Sequence, residues 1–464
     1  MRTIGIDLAI SGKHHATIMD EQQQQIGPHV IFDTCSQALA DLLQQARHCP
    51  PADELIEVVM EPTGSIWLPL ASYFAQQQQV TVYLVNAQYA ARLQKADRPR
   101  GRSDRTSADL LAKLPSFNRR VLRPLHLDEA PRRAGQRFAR QRERLTKSIT
   151  AQKNRIQALE RTYWPGLEHV VSKPLAPWVR RWRETWYDPE ALLSVTEAAL
   201  ASALLELGAP SKALLTLVQG LRQVAQEALR LYGPSSEAAD YQALQDEVLL
   251  EQRLLTAYEE ERKQLSSRIH ALMRKLDPDN LAQSVVGVGE QGAAVYTFLI
   301  GDGRRFPSQR GFRGWSGLHA RSSQSGDVEA KGMRISKAGP SLIKQYGYLN
   351  AEVARHWDPQ IAATYYDQMV NKGKHHTQAT CCCATHLLDR VRAVLRSGKP
   401  YELRDVDGQP ITRQQARAIV LERYQVPAEV RQRRTRRAHS QLPRLPSRRS
   451  RPRKQEASLL AASP

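Results

Sequence analysis

No stretch of the 464-residue sequence holds the roughly 18 consecutive apolar residues that cross a bilayer. The N-terminus, MRTIGIDLAISG, lacks the apolar core and cleavage site of a signal peptide. A cytoplasmic protein with no membrane partner is expected. Cysteine is sparse, and Cys35, Cys49, Cys381, Cys382 and Cys383 form no CxxC pair. Neighbouring helix positions point about 100° apart, so three adjacent cysteines cannot all face one metal. They read as reduced thiols. No internal repeat is present. Acids are outnumbered: 47 Asp and Glu against 67 Lys and Arg leave a formal charge of +20. A balance that basic points to a polyanionic partner, and without a membrane segment that partner is nucleic acid.

The length and the 41% hydrophobic content allow two or three domains, each with a core. Residues 1–125 alternate strand and helix patterns. RTIGIDLAI and HHATIMD read as a hairpin, SQALADLLQQARH and IWLPLASYFAQQ as helices, and ELIEVVM and VTVYLVN as buried strands. That order implies an α/β domain built on a mixed sheet. Residues 130–278 change character. Positions 244, 248, 251, 255, 258, 262, 265, 269, 272 and 276 alternate by four and three, and eight of the ten are apolar. That is a heptad seam. A similar spacing runs through Phe138, Leu145, Ile149, Ile156, Leu159 and Tyr163. Two long helices that pair, within one chain or between subunits, are expected as a coiled-coil connector. Trp178, Trp182 and Trp186 stand at i, i+4, i+8, which suits helix packing first and base stacking second. Residues 280–400 read as a second compact unit, mostly helical. From Arg431 to Lys454 there are eleven Lys and Arg and no acid, so 425–464 reads as a disordered basic tail.

Two groups of residues carry chemistry. Asp7 sits among apolar neighbours in GIDLA, and aspartate is a poor strand residue. A buried carboxylate needs a partner, often a metal. Glu61 ends VVMEPTG, and Asp104 stands where a helix begins in GRSDRTSADLLAKL. Three carboxylates at strand ends and a helix start suit Mg²⁺ or Mn²⁺, which take hard oxygen ligands and stabilise charge on a phosphodiester. The second group lies in a Gly- and Ser-rich stretch. Ser322, Ser323 and Ser325 are flanked by Arg321, Lys331, Arg334 and Lys337. A serine attacking DNA needs its proton removed and the phosphate charge neutralised. The residues alone do not choose among the three hydroxyls. Gly287 and Gly289 precede a helix, whose exposed N–H groups could hold a phosphate.

These residues resemble the DEDD-type transposases of the insertion-sequence-110 family, whose first domain is RuvC-like, that is, RNase H-like. The family's G-[IV]-D strand places its first acid at Asp7, and its E-x-[TS]-G turn places the second at Glu61. Its K-[TS]-D-x-x-D-A-x-x-L-A helix aligns with RSDRTSADLLA, matching Asp104, Ala108, Leu111 and Ala112. The family's last acid falls on Ser107. Asp109 is two residues further on, a rotation of about 200° along a helix. The helix start shifts, or three carboxylates suffice, or the enzyme is weakened. In the second half, SVVGVGEQGAAVYTFLIGDGRRF and GWSGLHARSSQSGDVEAKGMRISKAG resemble the family's C-terminal transposase domain, with Val286 and Ala320 where the family has proline. Counted from Gly317 and Leu318, the family's nucleophilic serine falls on Ser325. RERLTKSITAQKNRIQALERTYWPGL is similar to the family's linking helix.

The resemblance implies a bacterial, nucleoid-associated recombinase that moves an insertion sequence. Acids and serine would meet in a composite site between subunits of a homodimer or homotetramer. The partners would be the DNA of the element ends and of the target. A structured guide RNA, the bridge RNA, is a further expected partner. Two other readings are a decayed transposase that only binds nucleic acid and a junction nuclease using the acids alone. An actin-like ATPase or sugar kinase also starts G-[IV]-D, but needs a phosphate loop where this chain has LAISGKHH.

Overall fold

The computed structural model describes residues 1–48, 55–86, 89–91, 93, 103–234, 238–319, 324–325, 328–329, 335–336 and 338–432. Two compact units divide the chain, Met1–Asp128 and Glu129–Pro464.

The first unit is a mixed sheet with helices packed on it. Its strands are β1 (Arg2–Asp7), β2 (His14–Met19), β3 (Val30–Phe32), β4 (Ile56–Met60), β5 (Val80–Leu84) and β6 (Arg123–Pro124). They lie in the order β3-β2-β1-β4-β5-β6. β1 is antiparallel to β2, as the hairpin pattern predicts, and parallel to β4, which is parallel to β5. The short edge strands β3 and β6 carry too few residues to show a period in the sequence. Helices packed with the sheet include α1 (Ser36–Arg47), α2 (Trp67–Phe74) and α3 (Asp104–Asn118).

Strand alternation sends the two faces of β1 to different cores. Ile4 and Ile6 join Leu39, Leu42, Leu43, Leu70 and Phe74. The opposite face carries Gly5, where a Cβ would overlap the backbone of Ala108 and Ala112 in α3. Only glycine lets α3 lie that close to the strand. With both faces covered, β4 is buried along its whole length, which suits Ile56, Val58, Val59 and Met60, while its buried Glu57 pairs with Arg119.

The second unit is helical. Helix Ala130–Tyr163 packs along helix Tyr241–Leu276. Arg142 donates to Ser266, Lys153 pairs with Glu259 and Arg155 with Glu251, so the two helices run antiparallel. Leu244, Val248, Leu255, Leu265 and Ile269 are buried, as the seam predicts. At one step the seam moves: Gln252 is buried and Glu251 faces Arg155 instead. The cause is a third helix, Pro177–Thr185. Its fully buried Arg183 donates to Glu160 at 2.6 Å and to Gln252 at 3.3 Å, so a polar layer replaces the apolar one. Trp178 and Trp182 are buried in the same core beside Trp164 and Tyr187. Helix packing accounts for them, and base stacking does not. A second core joins Ala139, Leu265 and Ile269 of the long helices to Tyr296, Phe298, Phe312, Ile343 and Leu387.

Candidate active site

Asp7 closes β1, and Glu61 follows the last residue of β4. The parallel register pairs Ile6 with Met60. The next positions, Asp7 and Glu61, are therefore neighbours at the carboxyl ends of adjacent strands. Alternation puts Asp7 on the Gly5 face, the one α3 covers. Asp104 is the first residue of α3. Ser103 and Thr106 close a reciprocal capping box there, so the sequence itself fixes the helix start. A carboxylate in that first turn also suits the helix dipole.

Asp104 does not point freely at the other acids. Its Oδ2 lies 3.7 Å from His15 Nε2, and its side chain is 68% exposed. His15 is the cross-strand partner of Asp7. His15 Nδ1 lies 2.9 Å from His29 Nε2, and His29 Nδ1 lies 3.1 Å from Thr17 Oγ1. The Thr17 hydroxyl donates to Asp109 at 2.6 Å. Burial holds His29 below the usual histidine range, helped by His15 and Arg105 and opposed by Asp109. No motif in the sequence points to this chain of groups, whose available signal is the paired histidine opening the strand HHATIM.

Ser107 is buried and donates to the Ser103 carbonyl at 3.2 Å. It shares a helix stripe with Leu111 and Leu114, which pack with Val59 of β4. Asp109 lies on the other flank, over Thr17 of β2. Ser107 and Asp109 thus face different strands, β4 and β2.

Among the described residues, no three His, Cys, Asp or Glu side chains form a group able to hold a metal ion. The donor chemistry nevertheless suits a hard divalent cation. Asp7 and Glu61 are carboxylates side by side, and like charges at adjacent strand ends favour a cation between them.

The serine stretch is described in part, as a short strand pair and a closely packed base. Gln324–Ser325 pairs antiparallel with Val328–Glu329, Ser325 facing Val328 in register. Of Ser325 the backbone alone is described, and Ser322, Ser323, Arg321, Lys331, Arg334 and Lys337 lie outside the described residues. At the base, Gly317 has φ +70° and Gly339 φ +73°. A Cβ on Gly317 would overlap the Ala338 carbonyl, and one on Gly339 the Trp315 carbonyl. Ser336 donates its N–H to the His319 carbonyl at 2.9 Å, and Lys344 Nζ donates to the Ala338 carbonyl at 2.7 Å.

Gly287 has φ +88°, and a Cβ there would strike Ala354. Close packing therefore accounts for this glycine. Gly289 caps helix Glu290–Ile300 and has open space around it. The first side chain of that helix is acidic: Glu290 lies 2.6 Å from His270 Nε2. The triple cysteine lies in helix His376–Ser397, where Cys383 is buried and its thiol is pushed up to about 12 by that burial.

Comparison with known proteins decides the family. Residues 4–165 match a model of transposases of the IS110 DEDD type, and residues 279–367 match one described as Transposase IS116/IS110/IS902 family. The chain belongs to the IS110 family of transposases. Asp7, Glu61 and Asp104 fall within the first matched segment, and Ser325 within the second. The chain is also 33% identical over 150 residues to the "Insertion element IS110 uncharacterized 43.6 kDa protein" of Streptomyces coelicolor. That alignment covers 32% of this chain and 36% of the relative, so the chain matches only about a third of the relative's length. No helix among the described residues is long and apolar enough to cross a membrane.

Proposed function

We propose that this transposase cleaves and transfers DNA strands, with an acidic site at Asp7, Glu61 and Asp104 and with Ser325 as nucleophile. The observation that carries the reading is the pairing of Asp7 and Glu61 at the ends of adjacent parallel strands, with α3 starting at Asp104. The strand order β3-β2-β1-β4-β5, with β1 central and β2 antiparallel to it, supports an RNase H-like (RuvC-like) first domain. The long paired helices would serve as a coiled-coil connector, and the basic tail from Arg431 as a sequence-independent phosphate binder.

Asp7, Glu61 and Asp104 would hold Mg²⁺ or Mn²⁺. When bound, the cation supplies charge stabilisation at the phosphate oxygens. Ser325 Oγ would attack the phosphorus, forming one O–P bond and breaking another to a bridging oxygen. The displaced oxygen leaves as a DNA hydroxyl and takes up the proton that serine gives to solvent. Attack by a second DNA hydroxyl reverses those bonds, joins the strands and restores serine. Arg321, Lys331, Arg334 and Lys337 would neutralise the phosphate during attack. Element ends and target DNA are the substrates of this reading. A structured guide RNA and a homodimer or homotetramer complete it.

The test is strand transfer on labelled DNA with Mg²⁺ or with EDTA. Asp7→Ala should remove the Mg²⁺-dependent activity while DNA binding persists. Full activity in EDTA would overturn the metal site.

A further inference from the structure

The two long helices of the second unit share out their charge unevenly. Where helix Ala130–Tyr163 holds Lys153 and Arg155, its cations meet acids of helix Tyr241–Leu276: Lys153 pairs with Glu259 and Arg155 with Glu251. Towards the start of the first helix that pattern stops. Residues 130–150 hold seven Lys and Arg against one acid, Glu143. Arg142 donates to Ser266, so the turns alongside are those of residues 262–276. They add Arg262, Lys263, Arg268, Arg274 and Lys275 and no acid. Five of these cations form one stripe. Arg133, Arg137, Arg140, Arg144 and Lys147 follow one another by four and three, so they share a helix face. The packed side lies elsewhere, where Gly135 abuts Phe298 and Arg142 reaches Ser266 and Tyr346. Arg137, Arg140, Arg144 and Lys147 are exposed. Among the described residues none of the four stripe arginines pairs with an acid, while Lys147 lies 3.5 Å from Glu143.

We propose that this stripe binds the phosphate backbone of duplex DNA without reading its sequence. Like charges three and four residues apart destabilise a helix. A solvated face gains nothing from repeating them over four steps, and the same helix has acids opposite its cations further along. A polyanion lying on the stripe turns that repulsion into attraction. From Arg133 to Lys147 the stripe is about 21 Å long at about 1.5 Å per residue. That length matches about six base pairs of duplex. None of its five side chains is aromatic, so it offers no platform on which an unpaired base could stack. Paired strands, presenting phosphates alone, suit it better than single strands. The surface is rigid and folded, unlike the basic tail that begins at Arg431. The inference uses only the family's work on DNA. It needs neither Ser325 nor the acids, so binding without metal tests it apart from the proposed catalysis.

The experiment measures binding of the full chain to a short labelled DNA duplex of arbitrary sequence, in EDTA, by fluorescence anisotropy over a salt series. Each phosphate contact contributes about 0.9 to the slope of log affinity against log salt. A variant combining Arg137→Gln, Arg140→Gln and Arg144→Gln should lose roughly 2.7 of that slope. Its melting temperature should stay level or rise, because repulsion along the helix is relieved. Lysine at the same three positions keeps the charge and should keep the native slope. A control combining Arg161→Gln, Lys212→Gln and Arg253→Gln removes as much charge from exposed positions outside the stripe and should also keep it. An unchanged slope in the first variant overturns the assignment and leaves the stripe a solvated face. An equal fall in the control overturns it too, because net charge alone would then be acting. Duplex RNA is the second probe. A slope that falls on RNA but not on DNA gives the stripe to RNA and overturns the DNA assignment.

Discussion

Gly317 and Gly339, on either side of the segment that carries Ser325, cross reciprocally, each packed against a backbone carbonyl one or two residues before the other. Gly317 abuts the Ala338 carbonyl, and Gly339 abuts the Trp315 carbonyl. Both have left-handed φ. Alanine at either position meets a steric overlap with backbone as well as a conformational cost of about 1–3 kcal/mol. Gly317→Ala and Gly339→Ala should therefore lower the unfolding temperature and sharply reduce strand transfer. Thermal melts beside activity assays check this. Gly314→Ala is the control, because nothing lies near its added Cβ. Equal behaviour of all three variants would show that the crossing does not matter.

Ser107→Asp tests the weakened-acid reading. A carboxylate at this buried position costs stability without a cation. Bound cation should return that stability by mass action. The variant should melt lower than the native protein in EDTA and gain more from added Mg²⁺, with Mg²⁺ affinity tightened roughly tenfold by the extra charge. A large gain of activity would mark this copy as impaired by its serine. No change in Mg²⁺ response would place Ser107 away from the ion.

Acid should destabilise the fold well before its carboxylates are protonated. His14, His29, His356, His376 and His386 are all held below the ordinary value of 6.5, first of all by burial. Below pH 6.5 the unfolded chain takes up protons that these folded rings refuse. Their contribution to stability is complete above 6.5 and is lost as pH falls through the folded values. Melts at pH 7.5 should exceed those at pH 5.5, and His386→Gln should shrink the difference. A melting temperature independent of pH across that range would contradict the assignment.

Much of the first unit was legible because its chemistry is local. The apolar runs around Val58 and Val82 predict strands, and GRSDRTSADLLAKL predicts a helix beginning at Asp104. Asp7 and Glu61 could be picked out as acids at the ends of such runs. Their adjacency could not, since it depends on the parallel pairing of strands about fifty residues apart. The same holds for His15, whose meaning arises only when β2 folds back beside Asp7. Gln252 shows the limit of heptad reading: a seam defined for two helices shifts where Arg183 enters from a third. Gly287 shows another. The sequence shows a Gly-x-Gly before a helix, but not that Ala354 packs where a Cβ on Gly287 would stand.

The most direct measurement is a covalent trap. Purified protein is incubated with radiolabelled DNA carrying the element ends and a suicide nick, together with Mg²⁺ and the candidate guide RNA. Products are denatured and separated by size. The account predicts a protein–DNA adduct that maps to Ser325 by mass spectrometry, is absent in Ser325→Ala, and persists in Ser322→Ala and Ser323→Ala. An adduct that survives Ser325→Ala, or that depends on Ser322 or Ser323 instead, would contradict it.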